Sequence, residues 1–250
     1  MNQTPHPKIH ALLARMGLGS RREIEQWISD GKITVNGQNA TIGQRINPED
    51  DLTLNGQKIP LSFEQPTRQV IAYYKKVGEI CTKSHDRLAT VFDTLPPVSG
   101  KWVNVGRLDV NTSGLLLFTN DGELAHRLMH PKYEIERHYK VRVFGTVSPA
   151  QLKQLKAGTR AGQDFLKFEA IDSPRDLKEG HQNQWFHVVL KEGKYREVRR
   201  LFESIGCKVS RLIRVQYGPY VLPKQIKPGQ YAFLSVTEIH ALLKAVDLKF

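Results

Sequence analysis

Apolar positions recur every three to four residues over Lys8 to Met16, where Ile9, Leu12, Leu13 and Met16 share a face. That spacing predicts a helix, which Gly17 and Gly19 stop. A second helix follows at once. Ser20-Arg21-Arg22-Glu23 has the spacing of a capping box, in which two side chains take up amides the first turn leaves free. Ile24, Trp27 and Ile28 continue its apolar face to Asp30-Gly31. The period then shortens. Lys32 to Val35 runs into Asn36-Gly37 and Asp51 to Leu54 into Asn55-Gly56, the pair suited to tight turns with positive φ, so short hairpin structure is expected. Pro60 to Thr67, with Pro66, reads as a linker.

A second, longer pattern begins at Arg68. Strands are expected at 69–74, 102–107, 115–119, 139–145, 185–190 and 209–217, with a helix or turn near Thr90 to Leu95. Helices are expected over Glu123 to His130, ended by Pro131, from Ser148-Pro149 through Leu155, and over Lys194 to Ile205, ended by Gly206. Helices and strands in this irregular order predict an α+β fold. The expected division is a module over 1–61, a linker over 62–67 and a larger domain over 68–250.

Charge changes what this fold is expected to meet. The 250 residues carry a net charge of +12, of which the chain up to Leu61 holds only +1. An excess of +11 on the larger part fits a polyanion with a phosphate backbone, so nucleic acid is the leading partner. An anionic membrane surface is the competing explanation, but no lipidation signal or basic amphipathic helix with a wide aromatic face is found. No uncharged run approaches the roughly 18 residues of a membrane span, and Met1 to Pro7 lacks a signal peptide's layout, so a cytoplasmic protein is expected. Cys81 and Cys207 form no CxxC and are expected to be free thiols.

The candidate chemistry centres on Gly106-Arg107-Leu108-Asp109-Val110-Asn111-Thr112-Ser113-Gly114. It sets one carboxylate in a polar loop between two runs built like buried strands. On physical grounds alone Asp109 is equally read as a turn former that bonds its own backbone. Arg21 and Arg22 stand at a helix N-terminus, where cations are mildly unfavourable unless a phosphate is to be met; a helix-turn-helix reader is the alternative, which the immediate switch to hairpins opposes.

Ser-Arg-Arg opening the second helix and the Val-Asn-Gly turn resemble the S4 RNA-binding domain. The strings GRLDVNTSGLLLFTNDGELAHRLMHP, ERHYKVRVFG and EGKYREVRRLFESIG resemble the three motifs of ribosomal pseudouridine synthases that join an S4 domain to a catalytic domain. The likeness runs from Lys8 to about Thr237. It implies a small helix-helix-hairpin S4 domain beside a larger mixed, mainly antiparallel sheet. It also implies isomerisation of a uridine swung out of its stack, with Asp109 as the ionised carboxylate, Arg199 as its cationic partner and Tyr139 against the base. AYYKKVGEICTKSHD and TVFDTLP bring the resemblance nearest the large-subunit branch, implying 23S rRNA or a large-subunit precursor as partner and a stem-loop near the peptidyl transferase region; sister enzymes on small-subunit rRNA share the three motifs. Substrate and product are isomers, so no cofactor is expected. Arg107, Lys194 and Arg196 are candidates for RNA contact.

Other signals are declined. His126 and His130 lack a third ligand, so no metal is expected; Glu134 and Glu136 read as solvated strand-edge charge; no P-loop is present. Nothing in the heptad pattern argues for a dimer, so a monomer is expected. The rival function is a non-catalytic RNA-binding or ribosome-assembly protein, for which charge and an S4 module would suffice.

Overall fold

A computed structural model describes residues 6–64, 66–82, 87–172 and 183–249. Met1 to Pro5, Gln65 of the expected linker and Lys83 to Asp86 at the end of the AYYKKVGEICTKSHD string lie outside the described residues. The chain divides into two compact units. One holds the residues to Gln69 with Pro97–Val103 and Asn120–Gly122; the other holds Val70–Pro96, Asn104–Thr119 and Glu123 onward.

In the first unit, α1 (Ile9–Arg15) and α2 (Arg21–Ser29) precede β1 (Ile33–Val35), β2 (Gln38–Asn39), β3 (Leu52–Leu54) and β4 (Gln57–Lys58). The α2 capping box forms as expected, Ser20 accepting the Glu23 amide and Glu23 the Ser20 amide. The strands pair antiparallel in the order β2-β1-β3-β4. Both Asn-Gly turns take positive φ at each residue, 52° and 80° at Asn36-Gly37 and 51° and 78° at Asn55-Gly56, as a two-residue hairpin in a right-twisted sheet requires. Ile9, Leu12, Leu13, Ile24, Ile28, Ile33 and Leu52 fill the core between helices and sheet. The Asn120-Asp121 turn also belongs here: Asn120 accepts the Gln69 amide at 2.8 Å and Asp121 pairs with Arg68 at 2.7 Å.

The second unit contains β5 (Val70–Lys75), β6 (Val103–Asn104) from its second residue, β7 (Ser113–Thr119), α3 (Gly122–Met129) from its second residue, β8 (Arg137–Phe144), α4 (Pro149–Ala157), β9 (Thr159–Ala161), β10 (Asp164–Leu166), β11 (Ala170–Asp172) and β12 (Asn183–Leu190). It continues with α5 (Glu197–Glu203), β13 (Lys208–Tyr217), β14 (Tyr220–Val221), β15 (Tyr231–Phe233) and α6 (Val236–Lys244). Its main sheet runs β11-β12-β8-β13-β7-β5-β15 and is antiparallel throughout this path except between β13 and β7. Strand β7 is buried along its whole length, matching its unbroken apolar run, whereas β8 alternates buried and open.

Val198, Leu201 and Phe202 of α5 pack with Tyr139, Val141, Val143 of β8 and Phe186, Val188 of β12 in one core cluster. The parallel step depends on Gly114, set opposite Arg214. A Cβ at Gly114 would lie 2.2 Å from the Arg214 carbonyl oxygen and 2.7 Å from its nitrogen, so only glycine lets β7 and β13 approach this closely.

The structure departs from the sequence expectations in several elements, among them β11 and β14, which were not expected. The basic helix begins at Glu197 rather than Lys194, because Arg196 takes a left-handed conformation and Glu197 folds back to accept the Lys194 amide. The strand expected over 102–107 contracts to β6. The pairs β9–β10 and β5–β15 and helix α6 were not anticipated.

Candidate active site

The loop between β6 and β7 is held almost entirely by its own backbone carbonyls. Leu108, whose side chain is buried in the main core, exchanges hydrogen bonds with Cys81: its amide donates to Sγ and Sγ donates to its carbonyl, both at 3.4 Å. The Asp109 carbonyl accepts the Thr112 amide at 3.0 Å, and the Val110 carbonyl accepts the Gly78 amide at 2.9 Å. The Lys75 ammonium, fully buried at the end of β5, donates to the carbonyls of Asp109 at 3.0 Å and Thr112 at 2.9 Å, and to that of Lys76 at 3.0 Å. Arg199, buried on α5, donates to the Asn111 carbonyl at 2.9 Å and to the Val209 carbonyl at 3.0 Å. Every carbonyl from Leu108 to Thr112 therefore has a protein donor.

The Asp109 side chain stands outside this network. It is exposed, and among the described residues its carboxylate has no hydrogen bond and no cation within 4.0 Å. This corrects the expectation, implied by the resemblance, that Arg199 pairs with this carboxylate. The guanidinium reaches the loop but binds its backbone, because the short buried α5 places Arg199 under the turn. Burial pushes the Arg199 guanidinium below its usual range, and Arg196 adds to that, while the charge of Asp109 opposes it. Burial likewise pushes the Lys75 ammonium down, against Cys81, Glu79 and Asp109. Two buried cations thus lie in the field of one open carboxylate.

Tyr139 sits on β8 between Val188 of β12 and Arg214 of β13, in the same core cluster as Leu108. Its ring is largely buried, and among the described residues its hydroxyl has no protein hydrogen-bond partner. Arg214 is buried beside it, with Nε donating to the Leu115 carbonyl at 2.7 Å and the guanidinium 4.9 Å from the centroid of the Tyr217 ring. Among the described residues, one of its terminal nitrogens is buried without a hydrogen-bond partner.

The remaining candidates divide by whether they are engaged. Arg107 is exposed two residues from Asp109, and Arg21 and Arg22 are exposed in the first turn of α2; none has an acidic partner within 4.0 Å among the described residues. Lys194 pairs with Glu192 at 2.8 Å, and Arg196 with Glu203 at 3.4 Å. Lys75, Cys81 and Arg214 were missed by sequence reasoning. The available signal for Lys75 was its place at the end of an otherwise apolar run. Both cysteines are free thiols, and burial raises the Cys81 thiol.

The family model described as RNA pseudouridylate synthase matches residues 69–204, and the S4 domain model matches residues 8–52. The chain belongs to the RNA pseudouridylate synthase family. As such it is an isomerase. Its relatives in this family include ribosomal large subunit pseudouridine synthase B of Pseudomonas aeruginosa, 44% identical over all of this chain and 67% of that protein. The protein of the same name from Buchnera aphidicola is 44% identical over 96% of this chain and 95% of its own, and that from Escherichia coli 47% identical over 96% and 84%. Among solved structures, a pseudouridylate synthase crystal structure superposes with a TM-score of 0.64 at 25% identity, covering 94% of this chain and 99% of that one. The family match includes the Asp109 loop, Tyr139 and Arg199. No helix among the described residues is long and apolar enough to cross a membrane.

Proposed function

We propose that this pseudouridine synthase isomerises a specific uridine of large-subunit 23S rRNA, with Asp109 as the carboxylate that acts on the sugar or base. The names of the relatives support the large-subunit target. The observation that carries the role of Asp109 is the contrast between its anchored backbone and its free carboxylate. A turn-forming aspartate bonds its own backbone; here other groups hold the backbone and leave the side chain open to a substrate.

The reaction breaks the bond from base nitrogen to C1′ of the ribose, turns the base, and joins its fifth carbon to C1′. The hydrogen on that carbon leaves as a proton, and one returns to the ring nitrogen. An ionised carboxylate serves both as a nucleophile and as a base for a sugar proton. Exposure keeps Asp109 in water until RNA covers it, and Lys75 and Arg199 then supply positive potential from below. Tyr139 offers its ring to the base and, with no partner among the described residues, its hydroxyl for a proton. A paired uridine cannot present these atoms, so it is swung out of its stack. Arg107 is placed to hold the vacated gap or a neighbouring phosphate, and Arg21 and Arg22 of the S4 domain to hold flanking RNA; Lys194 and Arg196 meet phosphates only by leaving their acidic partners. All the proposed reacting groups come from one chain, consistent with a monomer.

Release of tritium from 23S transcripts labelled at the fifth carbon of uridine tests this directly. The wild-type protein is expected to release label in proportion to pseudouridine formed at one position. Release from small-subunit rRNA alone would move the target, and binding without any release would leave an RNA-binding protein.

A further inference from the structure

The sheet of the second unit covers its core with one face and leaves the other bare across β12, β8 and β13. On that bare side the register sets Asn183, Phe144 and Lys208 in one row, Trp185, Arg142 and Arg211 in the next, and His187, Lys140 and Ile213 in a third. Alternation on both strands carries Trp185 and Phe144 to this face, where they are 41% and 47% exposed although large aromatic rings are ordinarily buried. The β13 irregularity between Val209 and Arg211 brings two consecutive residues, Ser210 and Arg211, to solvent. The Ser210 hydroxyl then accepts Nε of Arg142 at 3.0 Å and steers that guanidinium over the face.

We propose that this face is a second RNA-binding surface, on which an unpaired stretch of the RNA substrate stacks two bases on Trp185 and Phe144. Lys140, Arg142, Lys208 and Arg211 meet its phosphates. Lys140, Lys208 and Arg211 have no acidic partner within 4.0 Å among the described residues; at the margin Glu136 hydrogen-bonds His138 at 3.1 Å, and exposed Asp172 lies 3.9 Å from His187. Four cations around two exposed rings select a polyanion that also offers flat apolar faces, which is what unpaired RNA presents and paired RNA hides. A second copy of the chain would bring the same four cations against themselves. Tyr139 points into the core from the same strand, so the face lies across the sheet from the proposed reaction site and serves a different nucleotide segment.

The inference rests on the reading of the chain as an rRNA enzyme, and the experiment separates the two. Full-length wild-type protein is compared with Trp185→Ala/Phe144→Ala, Lys140→Glu/Arg211→Glu and the ring-retaining Trp185→Phe/Phe144→Tyr, using tritium release from 23S transcripts and RNA affinity across a salt series. The alanine pair is expected to raise KM about tenfold or more with kcat within about twofold, and the ring-retaining pair to restore wild-type KM. The glutamate pair is expected to lower the slope of log affinity against log salt by about 1.4. Unchanged KM and an unchanged slope would overturn the proposal, as would a protein dimer that the glutamate pair dissolves while KM stays constant. A wild-type protein that releases no tritium would instead sink the enzyme reading, while the salt slopes and affinities would still report on the face.

Discussion

At the scale of single residues, Asp109 and Lys75 have complementary exposures and therefore complementary expected phenotypes. Asp109→Asn keeps shape and volume at an exposed position, so its unfolding free energy is expected to stay within about 0.5 kcal/mol of wild type. Pseudouridine formation is expected to fall about 10³-fold or more with rRNA affinity unchanged, because only the ionised carboxylate is lost. Single-turnover tritium release beside a binding isotherm measures both, and retained turnover would remove Asp109 from its proposed role. Lys75→Met deletes the donor shared by the Asp109 and Thr112 carbonyls while filling similar volume. Displacing the loop by about 1 Å is expected to lower kcat about a hundredfold with little change in affinity, a split that kinetics against the same transcript would show. The motif strings made Asp109, Tyr139 and Arg199 legible as candidates. What they did not show was that Arg199 grips the Asn111 backbone instead of the carboxylate, since a linear sequence carries the partner's neighbourhood but not the depth of the helix beneath it.

At the scale of elements, local chemistry was readable wherever a turn or cap has a residue signature. The Asn-Gly hairpins and the capping box at Ser20 formed as their residues dictate, and Ser148-Pro149 opens α4 as expected. Ser235 and Glu238 form the same box on α6, a signature that was present and not used. The short strands β9, β10 and β15 had no such mark, because three-residue strands are specified by what they pair with rather than by their own pattern.

Two glycines separate backbone preference from close packing. Gly206 has φ +78° with open space at its Cβ position, whereas Gly114 has φ +104° and meets Arg214 backbone at 2.2 Å. Gly206→Ala is expected to cost about 1 to 2 kcal/mol and Gly114→Ala about 3 kcal/mol or more in denaturant unfolding, since the second must also part β7 from β13. Equal costs would show that the parallel step does not depend on Gly114.

Helix α5 adds a pH dependence. Burial raises the Glu197 carboxyl above 4.5, so the folded protein holds its proton to higher pH than the unfolded chain does. The resulting contribution to stability is complete below that value and is lost as pH rises through the folded pKa. Glu197→Gln keeps an acceptor for the Lys194 amide but cannot ionise. Its melting temperature relative to wild type is therefore expected to climb between pH 4 and pH 7, and a constant difference would contradict the assignment.

At the scale of the whole molecule, charge and chemistry are distributed differently. The proposed reacting groups lie in the unit that carries most of the positive excess, while the S4 domain is nearly neutral and concentrates its RNA-facing signal in Arg21 and Arg22. The sequence made this asymmetry visible because counting charges needs no coordinates; it did not reveal the bare sheet face, which exists only once three strands are in register. The asymmetry predicts a separation of kinetic effects. Arg21→Glu/Arg22→Glu removes the two phosphate contacts proposed for the S4 domain without touching the reaction, so KM is expected to rise several-fold, kcat to stay within about twofold, and the salt slope of rRNA binding to fall by roughly 1.4 to 1.8 depending on whether the RNA is unpaired or paired. The same fall in slope should be measured in an Asp109→Asn background, where binding persists and turnover does not. If kcat rather than KM carried the loss, the two arginines would be acting on the reaction itself, and the S4 domain would not be the passive RNA grip proposed for it.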